Sequence, residues 1–328
     1  MLLICRPLSQ SPKDPFRLGR VMKDLHTSMP KHAKDLSRQS GIMTNTAIAT
    51  LRAAVEERLK AGRIRLPLLP QVANQVLMLS ADPKADAGQL SSLIHKDPAL
   101  AGHVLRIANS PGYMPKMPIV SLQQAVARLG MGAVTEIALV ASVQSGTFKV
   151  PGYEKELRQL WRHAVASGAF AKEIARVKRV NVESAFLCGL LHAVGKPALL
   201  QVVADAEKDC EARTGIPGDL RAAVPIVLHE LHVPIGVQVS EIWALPKQVA
   251  HVVGHYLDYG AAPAFKTEAM ICFLSDRFAT DFVSPETFAE GELAQHPVVA
   301  ELNLYPADMD DLMNKRGVVA KVVESMTT

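Results

Sequence analysis

Six of the histidines in the second half of the chain, with one aspartate, are of the side-chain types that can ligate transition metals. His163 follows Trp161 by two positions, and His192 sits in the run Gly189-Leu190-Leu191-His192-Ala193-Val194-Gly195-Lys196. His229 and His232 are three apart, His251 and His255 are four apart, and Asp276 lies beside Arg277. Imidazole is the commonest transition-metal ligand, and spacings of three or four put each pair on one face of a helix. Taken singly, each residue has a plainer reading. A histidine on an amphipathic helix is more often a hydrogen-bonded boundary residue than a ligand, and Asp276 next to Arg277 is by default a surface charge. Intervals of 29, 40, 23 and 21 residues between His163, His192, His232, His255 and Asp276 carry no short signature comparable to His-Glu-x-x-His.

The elements that would carry these residues are helices. Ile48, Leu51, Val55 and Leu59 recur at three- and four-residue spacing, and Gly62 follows as a stop. Leu66-Pro67-Leu68-Leu69-Pro70 is a proline-stiffened connector into a helix over Val72 to Leu79. Another helix starts near Ala87 and ends at Asp97-Pro98, and the next runs from Pro98 to the turn cluster Asn109-Ser110-Pro111-Gly112. Two helical patterns, Ser121 to Leu129 and Ala133 to Val143, flank Gly130-Met131-Gly132. Beyond Lys149-Val150-Pro151-Gly152 long patterns resume: Glu154 to Lys178, Val182 to Leu191, Pro197 to Thr214, Leu220 to Leu231, Ile235 to Trp243, Pro246 to Tyr256 and Thr267 to Phe278. Weaker ones cover Glu286 to Leu293, Pro297 to Leu302 and Ala307 to Met326. Alternating β-branched runs are missing and aromatic residues are only 5%, so the chain is expected to be all-α. The expected parts are a leader over 1–43, a helical part over 44–150, a second over 151–284 and a helical extension over 285–328.

Length and apolar content, 328 residues and 48%, suffice for a sizeable core. No unbroken apolar stretch approaches the roughly 18 residues of a membrane span, and the opening Met1 to Cys5 is too short for a signal-peptide core. A cytoplasmic protein with no membrane partner is expected. Cys5, Cys188, Cys210 and Cys272 are too scattered for a disulfide framework and read as reduced thiols. The net charge of +4 is uneven: residues 1–42 hold eight basic against three acidic residues, leaving 28 against 29 in the rest. A body this close to neutral gives no electrostatic case for a nucleic-acid surface. The leader, with Pro7, Pro12, Pro15 and Pro30, reads as disordered. Two readings of it stay open: a mobile basic tail, or an untranslated segment ahead of a start at Met43.

Several ordered motifs resemble one family. They are Leu66-Pro67-Leu68-Leu69-Pro70; Leu90-Ser91-Ser92-Leu93-Ile94-His95-Lys96-Asp97-Pro98-Ala99-Leu100; Val104-Leu105-Arg106-Ile107-Ala108-Asn109-Ser110; and Ile119-Val120-Ser121-Leu122-Gln123-Gln124-Ala125-Val126 with Leu129-Gly130. Together they are similar to the bacterial HDOD family, the HD-related output domains, over Leu66 to Tyr256. Asp97, Pro98, Asn109, Ser110 and Gly130 are the family-motif positions carried over. Gly189-Leu190-Leu191-His192 and Trp243-Ala244-Leu245-Pro246 continue the likeness into a half similar to HD-superfamily phosphohydrolases. The resemblance implies an N-terminal helical subdomain packed on a C-terminal HD-like one, with a boundary near residue 150.

That resemblance also implies a metal pocket, with its first histidine at His163 and the histidine of its His-Asp doublet at His192. Later ligands would fall, with looser alignment, at His232, His255 and Asp276. The doublet's aspartate is Ala193 here. Alanine has neither charge nor lone pair, and neutral imidazoles with one carboxylate bring a ligand charge of −1 against about +4 for two divalent ions. The pocket is therefore expected to be vestigial, without metal or other cofactor. Lys196 matches a lysine of the cyclic-dinucleotide phosphodiesterase branch, whose Gly-Tyr-Pro segment is not found in Gly254-His255-Tyr256-Leu257; helix-end solvation is its plainer role.

Asn109 and Ser110 are expected to satisfy backbone at the end of their helix. The helices around Gly130 look superficially like a helix-turn-helix, but the second offers only Thr135 and Glu136 before Gln144, so base reading is not expected. The function so implied is a bacterial, non-enzymatic signalling protein that meets partner proteins in trans and takes a nucleotide as a further ligand. The alternative is a metal-dependent phosphohydrolase or phosphodiesterase with a rearranged site, recruiting for example Glu230 or Asp276.

Overall fold

The computed structural model describes residues 42–62, 66–80, 82, 84–113, 117–144, 148–214, 220–285, 287–289 and 291–327. The expectations for the leader fall on residues outside these, except that Met43 lies in the first helix. Among the described residues there are helices and no strands.

In chain order they are α1 (Ile42–Lys60), α2 (Gln71–Ser80), α3 (Ala87–His95), α4 (Pro98–Ala108), α5 (Leu122–Gln144), α6 (Glu154–Lys178), α7 (Val182–Leu191) and α8 (Gly195–Thr214). After a 3-10 segment, Leu220–Ala223, come α9 (Val224–Ile242) and α10 (Lys247–His255). A second 3-10 segment, Tyr256–Ala261, precedes α11 (Lys266–Val283), α12 (Glu292–Gln295), α13 (Pro297–Glu301), α14 (Pro306–Asn314) and α15 (Arg316–Thr327).

The described residues divide into two compact units, those within 1–65 and 205–227, and those within 66–204 and 228–328. Residue 150 falls inside the second, so this division differs from the one expected there. In the first unit α1 turns Leu51, Val55 and Leu59 inward, and the 3-10 segment adds Leu220 and Ala223. Arg58 grips Asp209 from Nε (3.1 Å) and Nη2 (2.6 Å), and its Nη2 also donates to the Asp205 carbonyl at 3.1 Å.

In the second unit the predicted starts and stops are visible as chemistry. Asp86 and Gln89 form a capping box at α3, and the Asp97 carboxylate accepts from the Ala99 and Leu100 N–H groups with Pro98 in the first turn of α4. Asn109 works as a splint: its amide donates to the Leu105 and Ile119 carbonyls and its oxygen accepts from Ile119 N–H, each at 2.8 Å. Gly130, at φ 85° and ψ 161°, breaks α5 where the two patterns met. Trp243 donates from its indole to the Pro67 carbonyl at 2.8 Å, joining two of the sequence motifs.

Three expected elements differ. The helix predicted to break between Leu231 and Ile235 runs through Pro234 as α9, because Leu231, His232 and Ile235 are all buried and their packing outweighs the missing N–H. The final pattern splits at Lys315, whose N–H is shared between the Asp311 (3.1 Å) and Leu312 (3.2 Å) carbonyls. The pattern Glu286 to Leu293 reduces to the short α12, which starts after Gly291 at φ 77°.

The expectation of no membrane-length apolar segment also needs correction. Leu122–Gln144, Val182–Cys210 and Leu220–Ile242 reach mean hydropathies of 1.5, 1.5 and 1.3 and are long enough to cross a membrane. Counting only unbroken apolar runs missed them. Much of each is buried in the structure, 78% of the best window in Val182–Cys210, which accounts for that composition by core packing.

Candidate functional site

The site is positioned by a close crossing of α6 and α7. A β-carbon on Gly189 would lie 2.7 Å from the Ser167 carbonyl oxygen and 2.8 Å from the Gly168 Cα. Only glycine allows backbones this near. The turn between the helices is built by Arg179 at φ 55° and by Asn181, whose side chain accepts from Ser184 N–H. His163 on α6 and His192 at the end of α7 are thereby brought to a ring separation of 5.7 Å. α11 packs against both helices and supplies Asp276.

His163, His192 and Asp276 converge, each offering a ligand atom within 4.8 Å of the others. His192 Nε2 is 2.9 Å from Asp276 Oδ1, and His163 Nε2 is 3.5 Å from the same oxygen. The Gly189 carbonyl lies 2.7 Å from His192 Nδ1. A carbonyl only accepts, so Nδ1 carries a proton. Asp276 is held well below the usual carboxylate range: burial alone would raise it, but the His192 hydrogen bond and the charges of His192 and Lys196 outweigh that. Its oxygen therefore also only accepts, and His192 donates from Nε2 as well.

His163 is committed in a similar way. The Thr280 hydroxyl spends its single proton on the Asp276 carbonyl at 2.8 Å, so it can only accept from His163 Nε2, 3.1 Å away. Burial pushes the His163 imidazole down to about 3 against the opposing pull of Asp276, so the ring is neutral at pH 7 with its proton on Nε2. Both Nε2 atoms thus carry protons aimed at Thr280 and Asp276.

A metal is what the resemblance implies here, and these donors can be tested against it. Two imidazoles and a carboxylate are the set that holds one divalent ion with open positions, and the Gly189 carbonyl is the kind of support that orients a ligating histidine. The cluster fits one ion only if both Nε2 protons leave. It does not fit two, because Ala193, 9% exposed, offers no donor where the second carboxylate would be.

The other expected pocket residues lie apart from the triad. His232 is fully buried and satisfied: Nδ1 donates to the Leu228 (3.0 Å) and His229 (2.9 Å) carbonyls, and Nε2 accepts from the Tyr256 hydroxyl at 2.7 Å. Burial holds His232 well below its ordinary value and Tyr256 well above its own, which matches these donor roles. His255 donates from Nδ1 to the His251 carbonyl at 2.9 Å and stacks on His251. Lys196 is half-buried, and its charge acts on Asp276, His163 and His232. Gly195, next to it, packs against α9: a β-carbon there would overlap the His232 carbonyl and lie 2.6 Å from Gly236 N.

Two site residues escaped the sequence reading. Thr280 stands four positions after Asp276, one helical turn on, a spacing that could have been noticed. Tyr256, next to the candidate His255, meets His192 edge-on at a ring separation of 4.8 Å and hydrogen-bonds His232. Glu136, weighed earlier only as a possible base reader, is buried and takes Lys172 Nζ on both carboxylate oxygens, at 2.6 and 2.8 Å.

Comparison with known proteins adds the following. The HDOD domain model matches residues 66–258. A solved HDOD domain protein of unknown function from Geobacter sulfurreducens superposes with a TM-score of 0.64 at 20% identity, covering 85% of this chain and 99% of that one. A candidate metal-dependent phosphohydrolase from Shewanella amazonensis SB2B gives a TM-score of 0.62 at 22% identity, over 86% and 99% of the two chains. A candidate signal transduction protein from Marinobacter aquaeolei VT8 gives 0.61 at 22% identity, over 87% and 66%. An uncharacterized protein of Treponema pallidum (strain Nichols) is 22% identical over 256 residues, 75% of this chain; the chain spans about half, 48%, of that relative's length. These identities show a shared, all-helical fold.

Proposed function

Since the chain belongs to the HDOD domain family, we propose that it is a non-enzymatic signal-transduction protein whose HD-like pocket is a structural remnant. One observation carries this reading: His192 Nε2 and Asp276 Oδ1, which a metal would have to separate from their shared proton, are bonded to each other at 2.9 Å beside Ala193. A closed ion pair of this kind ties α7 to α11 and leaves no base to activate water. The protein then acts through conformation: helices shift when a partner protein or a nucleotide binds, a two-state element with different affinities in its two states. The proposed setting is the bacterial cytoplasm. Duplex DNA is left out because residues 134–143 of α5, the would-be recognition helix, are buried.

A second reading, a metal-dependent phosphohydrolase, is favoured by the convergence of His163, His192 and Asp276 within 4.8 Å. Hydrolysis of bis(4-nitrophenyl) phosphate, with manganese, iron(II) or zinc added in turn, separates the two. Turnover no faster than in the His192→Ala variant supports the signalling reading. Metal-dependent turnover that disappears in that variant overturns it.

A further inference from the structure

A pocket of about 480 Å³ opens between the end of α5, the start of α6 and the last residue of α15, and none of His163, His192 and Asp276 lines it. Its floor is aromatic: Phe148 and Trp161 are buried, with ring centroids 5.9 Å apart and planes inclined by 47°. Leu157 supplies a further apolar wall. Gln144 also lines the pocket, and its Nε2 is shielded from solvent and has no hydrogen-bond partner among the described residues. A buried donor left unmade costs about 1–3 kcal/mol, a penalty that a ligand acceptor would remove. At the mouth stand Lys149 and Arg158, both exposed and without an ion pair among the described residues. The single carboxylate on the rim, Glu154, accepts from Gly152 N–H at 3.0 Å.

We propose that this pocket binds a small organic anion with a flat apolar body, either an aromatic phosphate monoester or an aromatic carboxylate. The flat body lies against Trp161 and Leu157, and the oxygens of the anionic group meet Gln144 Nε2, Lys149 and Arg158. The volume falls within the range of roughly 300–1,000 Å³ usual for small-molecule sites, and the apolar floor with a few convergent polar groups is their usual chemistry. The proposal is independent of the state of the His163, His192 and Asp276 cluster.

Isothermal titration calorimetry in EDTA with 1-naphthyl phosphate, 1-naphthoate and inorganic phosphate tests it. The carboxylate cannot be hydrolysed, so its binding is read even if the chain cleaves phosphate esters. The expected result is saturable one-site binding of at least one naphthyl ligand, weakened about tenfold or more by Lys149→Ala with Arg158→Ala, and abolished by Leu157→Trp. Inorganic phosphate should bind at least about tenfold more weakly than that ligand. Lys149 and Arg158 are exposed, so their replacement leaves the fold intact. No saturable heat with either naphthyl ligand, an affinity unchanged in the double variant, or inorganic phosphate binding equally well would each overturn the proposal.

Discussion

Asp276 Oδ1 receives the proton of His192 Nε2 at 2.9 Å while the opposite nitrogen of the same ring donates to the Gly189 carbonyl at 2.7 Å. The imidazole is thus held at both ends, by its own helix and by α11. His192 is fully buried, so no solvent replaces a partner that is lost.

Replacing the acceptor should therefore be felt in stability. Asp276→Ala leaves a buried donor unpaired and should cost about 3–5 kcal/mol, read from the midpoint of urea unfolding. Asp276→Asn, which keeps an acceptor oxygen, should cost clearly less. Equal stability of Asp276→Ala and the unaltered protein would mean that the ion pair does not tie the helices.

The Glu136–Lys172 pair offers a parallel test away from the histidines. Burial raises the Glu136 carboxyl and Lys172 opposes that shift, so Lys172→Met strands a buried acid. It should lose about 3 kcal/mol, and adding Glu136→Leu should recover most of the loss, because a matched apolar pair needs no solvation. Additive losses in this double-mutant cycle would show that the two side chains are not coupled.

Helix contact at Gly195 sets the position of the segment that follows His192. Gly195→Ala places a methyl against the His232 carbonyl and should destabilise by about 3 kcal/mol. Gly254→Ala is the control: its β-carbon meets only Val237 Cγ2 at 3.4 Å, and the gain in helix propensity should make it neutral or stabilising by about 1 kcal/mol. The two midpoints are compared by thermal unfolding.

Buried neutral His232 makes a prediction about acid. Its folded value is held well below 6.5 by burial, so the unfolded chain takes up a proton that the folded one refuses. Its contribution to stability is present above pH 6.5 and falls as pH drops below it, by up to about 1.36 kcal/mol per pH unit. His232→Gln should flatten the slope of stability against pH between 6.5 and 5 by about one proton. An unchanged slope would contradict the neutral, Tyr256-bonded assignment.

Much of this was legible in the residues themselves. Helix starts at Pro98 and Val182 and the break at Gly130 follow from local chemistry that a sequence states directly. His163, His192 and Asp276 could be grouped only through the family likeness, because their convergence depends on the glycine-tight crossing of α6 and α7. His232 and His255 join them only through the same likeness, by a looser alignment. Spacing does not reveal that His232 turns to Tyr256, since a backbone carbonyl and a phenol satisfy imidazole as well as a metal does. Pro234 misled for a related reason: propensity is local, and the burial that overrides it is not.

On the function proposed above, the pocket keeps its protons in place of a metal. Elemental analysis of protein purified without chelator, from cells supplied with iron, manganese and zinc, reads this directly. The expected result is metal well below one ion per chain, unchanged by His163→Ala, with occupancy rising in Ala193→Asp as the missing carboxylate returns. Stoichiometric metal in the unaltered protein, lost in both His163→Ala and His192→Ala, would contradict it.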